Sequence, residues 1–255
     1  MREIDLNADM GEAFGDWRMG DDESLLGIVS SANIACGFHA GDWDVMARTM
    51  AAAQAHGVGL GAHPGFPDLQ GFGRRKMAMP PESVGRMVQY QLGAAQAMAQ
   101  AAGGRIRHLK LHGALSNMAM TDEALSRAAY KAALDIDPEI ILVVLSGTVM
   151  EQVARDLGAA YAGEIFADRG YAEDGTLIPR GQPGAMIHDA DEAADRILDM
   201  LDAGAILTAG GNRIAARIDT ICVHGDEPTA VALARRLRER LEGAGLAIRP
   251  FAGAR

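Results

Sequence analysis

Short runs of β-type residues alternate with longer helical segments, and this order restricts the fold more than any other feature of the chain. The predicted strands cover residues 4–9, 31–36, 58–63, 106–112, 140–146, 162–168 and 220–224. The predicted helices cover residues 43–56, 81–102, 121–134, 189–201 and 228–241. The alternation predicts an α/β fold with a mostly parallel sheet and helices outside it. Seven or eight strand–helix units in 255 residues fit a closed or nearly closed barrel, and an open doubly wound sheet is the alternative.

One segment interrupts this rhythm. Residues 205–218 contain two short apolar runs around Gly210-Gly211-Asn212, which predicts a small β-hairpin inserted before the last strand. The sequence shows neither a linker nor a low-complexity tract. We therefore expect residues 1–255 to form a single barrel domain that carries this hairpin.

Composition restricts the classes of partner. The formal net charge is -10 without a visible basic stripe, which argues against nucleic acid and anionic membranes as partners and leaves a small-molecule substrate. The two cysteines exclude a disulfide scaffold and suit a reducing compartment. The first residues do not resemble a secretory leader, and the apolar runs are shorter than the roughly 20 residues of a membrane span. We expect a cytoplasmic protein.

Polar side chains recur on one face of several predicted strands, near their carboxyl ends. Because side chains alternate along a strand, Asp5, Asn7 and Asp9 share one face, as do Lys110 and His112. A parallel strand covered on both sides is normally apolar throughout, so this shared polar face indicates a site at the barrel mouth. The predicted catalytic residues are Asp9, His39, His63, Lys110, His112, Asp168 and His224.

Three other residues on these strands are expected to be structural. His108 lies four residues before His112, about 13 Å lower along the strand, and is expected to be a buried histidine. Cys36 and Cys222 are expected to be packed thiols.

Loops beyond the strand ends supply further candidates. In Gly71-Phe72-Gly73-Arg74-Arg75, two glycines flank an aromatic residue before two guanidinium groups, which suits a mobile lid that holds a carboxylate or a phosphate. The predicted substrate-binding residues are Asn7, Glu12, Arg74, Arg75, Glu164, Arg169 and Asp226. The chain lacks the glycine-rich motifs that bind nucleotide phosphates.

Six segments carry a resemblance to a known family. They are DLNADMGE at 5–12, SANIACGFHAGD at 31–42, GAHPGFPDLQGFGRR at 61–75, KLHGALSN at 110–117, EIFADRGY at 164–171 and ICVHGDEPTAV at 221–231. In this order they closely resemble the LamB/YcsF family over essentially the whole chain. The family pattern usually reads DLNCDLGE and KPHGALYN, so this chain departs from it at Ala8, Leu111 and Ser116. Ser116 replaces a tyrosine near the expected mouth, which puts the substrate preference in doubt.

The resemblance implies a fold, an activity and partners. The expected fold is an irregular TIM-like (β/α)7 barrel, similar to the polysaccharide deacetylase-type barrel. The expected activity is that of component A of a 5-oxoprolinase, which opens 5-oxoproline (pyroglutamate) to glutamate with consumption of ATP. The expected partners are separate B and C subunits that bind the ATP. A homo-oligomer and a divalent metal ion are left open.

Within this interpretation, the partner subunits phosphorylate the lactam oxygen and this chain opens the activated ring. Asp9 or Asp168 would activate water, Lys110 and His112 would stabilise negative charge, and His39 or His63 would donate a proton. Arg74 and Arg75 would hold a carboxylate or a phosphate. Lys110→Met is expected to damage turnover far more than stability, because it removes a buried charge.

Two other functions are compatible with the same residues. In the first, Asp9, His39, His63 and His224 hold a divalent ion in a metal-dependent, deacetylase-like hydrolase of a small amide. In the second, the chain is a non-catalytic subunit that only binds partner chains.

Overall fold

A computed structural model describes residues 2–223 and 230–253 of the chain. Its strands are β1 (Arg2–Met10), β2 (Ser31–Ala35), β3 (Gly59–His63), β4 (His108–Lys110), β5 (Ile141–Leu145), β6 (Tyr161–Phe166), β7 (Ala205–Leu207), β8 (Arg213–Ala215), β9 (Thr220–Val223) and β10 (Leu246–Ile248). Its α-helices are α1 (Asp22–Leu26), α2 (Trp43–Ala55), α3 (Pro81–Ala101), α4 (Gly113–Ala119), α5 (Glu123–Ile136), α6 (Val149–Asp156), α7 (Ala190–Ala203) and α8 (Ala230–Gly243).

Seven parallel strands close into a barrel in the order β1-β2-β3-β4-β5-β6-β9. The ring closes because β9 pairs in parallel with both β6 and β1. This closure confirms the seven-stranded barrel and excludes the open doubly wound sheet. Outside the ring, β10 pairs with the first residues of β1, and β7 pairs with β8 as an antiparallel hairpin between α7 and β9.

Local sequence chemistry sets the helix boundaries. Helix α3 has Pro81 in its first turn, where the missing N–H costs nothing. The cap of α5 is Asp122, which accepts a hydrogen bond from the backbone N–H of Leu125, so the helix begins two residues after the start of the predicted 121–134 helix. Helix α4 begins directly after His112, so β4 is shorter than the predicted 106–112 strand. Helices α1, α4 and α6 and strand β10 were not predicted, since three to eight residues carry little periodicity.

The barrel has an apolar outer face and a polar interior. Leu6, Ala8, Leu109 and Leu111 belong to the hydrophobic core formed with the surrounding helices. Their strand neighbours of opposite parity point into the barrel, as the alternation of side chains predicts. None of the described helices is long and apolar enough to cross a membrane.

A small apolar cluster closes the lower end of the barrel, where the strands begin. It contains Ile141, Val143, Ala162 and Phe251, the last from the segment after β10. The ring of His108 meets Phe251 edge-on with centroids 5.1 Å apart. The barrel interior is therefore filled at this end, and it opens at the end where the strands finish.

Candidate active site

A cavity of about 500 Å³ lies at the carboxyl ends of the strands. This volume is in the range of small-molecule sites. The ionisable residues at its floor are Asp9, Glu12, His63, Lys110 and His112. Its wall carries the basic residues Arg74, Lys76, Arg169 and Arg180 and the acidic residue Asp174. With Lys110, five cationic side chains thus face three carboxylates. The cavity therefore concentrates positive charge in a chain whose net charge is -10.

Lys110 is the central cation of the floor. Its Nζ lies 2.9 Å from Glu164 Oε1, 3.0 Å from Asp9 Oδ1 and 3.0 Å from Cys222 Sγ. Burial opposes the charge of this ammonium group, but the attraction of Asp9 and Glu164 outweighs it and raises the pKa of Lys110 well above its usual value. Burial raises the pKa of the Cys222 thiol well above its usual value, in agreement with a packed thiol.

A chain of hydrogen-bonded polar groups supports this floor from below. Asn7 Nδ2 donates to Glu164 Oε1 at 3.0 Å and to Thr220 Oγ1 at 2.7 Å. Asn7 Oδ1 accepts from Asn33 Nδ2 at 2.7 Å and from Lys110 Nζ at 3.3 Å. Asn7 and Glu164, which were predicted to bind substrate, are thus buried beneath the cavity, and neither is among the described residues that line it.

The lower end of this polar chain is Asp5. Its carboxylate accepts hydrogen bonds from Ser30 Oγ at 2.6 Å, from Ser31 Oγ at 2.7 Å and from Thr220 Oγ1. Burial raises the pKa of Asp5 to about 6, although the three hydroxyl groups lower it. His108, whose Nε2 lies 2.9 Å from Asn33 Oδ1, is buried as expected.

Three histidines and one glutamate meet at one side of the floor. One possible ligand atom from each of Glu12, His39, His63 and His112 lies within 4.8 Å of those of the others. His63 Nε2 and His112 Nδ1 are 3.0 Å apart. Glu12 Oε1 lies 3.6 Å from His39 Nε2 and 3.8 Å from His112 Nδ1. All four residues are buried, and this histidine–glutamate cluster is the densest group of possible metal ligands in the described part of the chain.

Backbone carbonyls select the tautomers of two of these imidazoles. His63 Nδ1 lies 2.8 Å from the Lys110 carbonyl oxygen, and His112 Nε2 lies 2.8 Å from that of Phe72. A carbonyl oxygen only accepts, so each of these ring nitrogens carries its proton. The other ring nitrogens, Nε2 of His63 and Nδ1 of His112, then face each other 3.0 Å apart.

His39 lies behind this pair. Its ring stacks on that of His112 with centroids 3.6 Å apart and planes 5° apart. Burial, followed by the neighbouring His112 and His63, lowers the pKa of His39 well below its usual value. Burial likewise lowers the pKa of His112 to about 3. Both imidazoles are therefore neutral near neutral pH.

The loop after β3 positions the cluster. Asp68 accepts hydrogen bonds from the backbone N–H of Gly71 and from Arg75, so the predicted mobile lid is an anchored turn. Phe72 has a φ of 53°, a left-handed conformation that costs energy for a residue with a side chain, and its carbonyl oxygen fixes His112. Gly73 has a φ of 62°, and a Cβ there would lie 2.7 Å from both His39 and His112.

The remaining predicted residues fall into those that line the cavity and those that do not. Arg74 lines the cavity, whereas Arg75 turns away from it to Asp68. Arg169 borders the cavity but donates to the carbonyl oxygens of Ala185 and Ile178, so it holds its own loop. Asp168 is buried and is not among the described residues that line the cavity. His224 and Asp226 lie outside the described residues.

Several residues of the site were not predicted from the sequence. Asn33 donates to Asp9 Oδ1 at 2.9 Å, and its inward parity on β2 was a usable signal. Lys76 and Arg180 reach the cavity from loops, and Phe166 places its ring 5.2 Å from Lys110 Nζ. Lys76 and Arg180 lie in loops, whose residues carry no periodic signal.

Comparison with known proteins places this geometry in a family. The LamB/YcsF family model matches residues 4–255. The chain belongs to the LamB/YcsF family. The A component of the 5-oxoprolinase from Ruegeria pomeroyi is 60% identical over 251 residues, which cover 98% of this chain and 99% of that protein.

Solved structures agree with this membership. A lactam utilization protein from Thermus thermophilus superposes with a TM-score of 0.92 at 46% identity, covering 98% of this chain and 100% of that one. The catalytic domain of a peptidoglycan N-acetylglucosamine deacetylase from Eubacterium rectale superposes with a TM-score of 0.53 at 8% identity, covering 98% and 89%. The second likeness concerns the fold alone, and it confirms the expected similarity to deacetylase barrels.

The three departures from the usual LamB/YcsF pattern fall in different environments. Ala8 is buried in the hydrophobic core on the outward parity of β1. Leu111, directly after β4, belongs to the same core and also borders the cavity. Ser116 borders the cavity from α4. Ser116 is the one polar residue among the three departures. It is therefore the departure that can change which substrates the cavity of this LamB/YcsF protein accepts.

Proposed function

We propose that this chain is component A of an ATP-dependent 5-oxoprolinase, which opens activated 5-oxoproline to L-glutamate together with separate B and C subunits that use the ATP. The observation that carries the proposal is the pairing of Lys110 with Asp9 under a basic cavity wall. This arrangement suits a small anionic substrate on which further negative charge develops. The names of the similar proteins, a 5-oxoprolinase component and a lactam utilization protein, support the same substrate class.

The proposed chemistry begins with a lactam whose oxygen has been phosphorylated by a partner. Water adds to the ring carbon and gives a proton to a base. The tetrahedral carbon then expels the ring nitrogen, which takes up a proton, and an acyl phosphate remains. Hydrolysis of that acyl phosphate yields glutamate and phosphate. The site must therefore provide a base, a cation and a proton donor.

The geometry favours particular residues for these roles. Asp9 is the preferred base because it lines the cavity, whereas Asp168 is not among its described lining residues. Lys110 is the cation that opposes the developing negative charge. His63 lines the cavity with its Nε2 3.3 Å from Asp9 Oδ2, so it can take up the proton from Asp9 and pass it to the ring nitrogen. It is therefore the preferred proton donor over His39, which is not among the described lining residues. His112 receives no oxyanion role, since the Phe72 carbonyl occupies its N–H.

The test is glutamate release from 5-oxoproline. The purified chain with ATP and magnesium should release none, and addition of the two partner subunits should start turnover. In the assembled complex, Asp9→Asn should lower kcat by about 10²–10⁴-fold. ATP-dependent turnover by the rigorously purified single chain, or full activity of the Asp9→Asn complex, would contradict the proposal.

A second candidate function is the metal-dependent hydrolysis of a small amide, favoured by the histidine–glutamate cluster. The ligand set expected from the sequence was Asp9, His39, His63 and His224. His39 and His63 belong to the histidine–glutamate cluster, whereas Asp9 pairs with Lys110. His224 lies outside the described residues. This function predicts ATP-independent amide hydrolysis by the chain alone, abolished by a chelator.

A further inference from the structure

The histidine–glutamate cluster has the dimensions of a coordination sphere. With metal–nitrogen distances of about 2.0–2.1 Å, neighbouring ligand atoms of a tetrahedral site lie about 3.3 Å apart. The measured separations are 3.0 Å between His63 and His112, 3.6 Å between Glu12 and His39, and 3.8 Å between Glu12 and His112. These three spacings lie on both sides of the tetrahedral value, and the remaining separations are at most 4.8 Å, so the side chains, His39 above all, would have to rotate to complete the geometry.

The ring nitrogens and the carboxylate of the cluster are arranged so that one positive centre could contact several of them. His63 Nε2 is 3.0 Å from His112 Nδ1 and 3.3 Å from Asp9 Oδ2, while the other nitrogen of each imidazole is held by a backbone carbonyl. A proton on His63 Nε2 could be donated to one of the two neighbours. Such a proton would not reach His39, both of whose buried ring nitrogens have no hydrogen-bond partner among the described residues.

We propose that Glu12, His63 and His112 bind one divalent transition-metal ion, with His39 as the fourth ligand. The proposal concerns binding, and it does not depend on the lactam chemistry. Three imidazoles and one carboxylate favour zinc, cobalt, nickel or iron over magnesium and calcium, which prefer all-oxygen sites. The carbonyl groups of Lys110 and Phe72 act as the outer partners that aim His63 and His112. Such an ion, when bound, would supply a Lewis acid at the cavity floor.

The stack of His39 on His112 sets one condition for this site. Parallel rings direct their in-plane lone pairs side by side, whereas tetrahedral ligands converge on the ion. His39 must therefore turn out of the stack when the ion binds. Loss of His39 should consequently cost less affinity than loss of His63 or His112.

The experiment measures metal content and does not use activity. The full chain is stripped with a chelator, dialysed against zinc or cobalt, and analysed by elemental mass spectrometry and cobalt absorption spectroscopy. We expect one ion per chain, a visible cobalt band without thiolate charge transfer, and a higher thermal midpoint with metal. His112→Ala should weaken binding by more than about 100-fold, beyond the 10–100-fold typical of a lost outer partner. His39→Ala should weaken it less and change the cobalt band.

Two further variants keep the test decisive. Glu12→Gln preserves the volume of the side chain while removing its charge, so it should fold even if a histidine variant does not, and it should also bind less tightly. His56→Ala, at the exposed histidine directly after α2, is the matched control and should bind like the wild type. Substoichiometric metal in the wild-type chain, or unchanged affinity in both Glu12→Gln and His112→Ala, would overturn the proposal. The metal assay does not follow glutamate release, so the 5-oxoprolinase proposal stands or falls on its own test. Metal binding would exclude only the proton-donor role of His63, because Nε2 cannot bind an ion and donate a proton at once.

Discussion

Replacement of Lys110 by methionine should destabilise the barrel strongly. The sequence alone suggested the opposite, since removing a buried charge relieves its desolvation. In the structure, however, Lys110 is the counter-charge of two carboxylates, at 3.0 Å from Asp9 and 2.9 Å from Glu164. Lys110→Met would leave both acids in the barrel without this cation.

The size of the effect follows from the burial of the partners. Removing one member of a buried ion pair costs about 3–5 kcal/mol, because the other charge is left uncompensated. A domain has roughly 5–15 kcal/mol of stability in total. In a chain of this length each kcal/mol shifts the thermal midpoint by about 2–4 °C, so we expect a fall of roughly 10 °C.

A double-mutant cycle provides the assay. Urea unfolding would be followed by far-UV circular dichroism, because Trp17 and Trp43 are exposed and their fluorescence would report unfolding poorly. The four proteins are the wild type, Lys110→Met, Glu164→Gln and the double variant. The double variant should be more stable than the sum of the single losses predicts, by about 1–3 kcal/mol.

Additive losses, or a Lys110→Met variant within about 1 kcal/mol of the wild type, would refute the argument. Either result would mean that Lys110 does not neutralise the buried carboxylates.

Three further predictions test other parts of the molecule. The folded-state pKa of Asp5, about 6 against a usual 3.8, means that its contribution to stability is lost as pH rises from about 3 to about 7; relative to Asp5→Asn, the wild type should lose about 3 kcal/mol in urea titrations across that window, and a constant difference would contradict this. Gly73→Ala should disturb metal binding and turnover through contacts with two imidazoles, whereas Gly57→Ala, with a similar φ of 70° and open space, should cost only about 1–2 kcal/mol of stability; equal effects of the two variants on metal content would reject the contact argument. In the reconstituted complex, Arg74→Ala should raise KM for the anionic substrate roughly 10-fold or more, and Arg75→Ala, at a side chain turned to Asp68, should leave KM nearly unchanged; the reverse order would exclude this division.

Strand parity predicted which residues face the barrel interior, but not how deep they lie. Asp9, His63 and Lys110 were expected at the mouth and do line the cavity. Asn7 and Glu164 share that parity, yet they sit beneath the floor. Two residues along a strand change the height by about 6.6 Å, which separates a side chain that can touch a ligand from one that supports it.

Loop residues were harder to place, since their positions depend on tertiary contacts. Arg74 and Arg75 are adjacent in the sequence, but Asp68 captures Arg75 and leaves Arg74 at the cavity. The role of His39 depends on stacking against His112, which comes from a different strand end. No local pattern encodes that contact.

The small apolar cluster at the lower end of the barrel determines how substrate enters the site and how product leaves it. Because Phe251 and its neighbours fill that end, substrate and product share the opening at the carboxyl ends of the strands. In the proposed complex, a partner that covers this opening to deliver a water-sensitive intermediate also blocks the exit of glutamate and phosphate. Delivery and release must therefore alternate, with the partner separating or shifting once in each cycle. A barrel open at both ends could avoid this constraint, but it would admit water behind the intermediate.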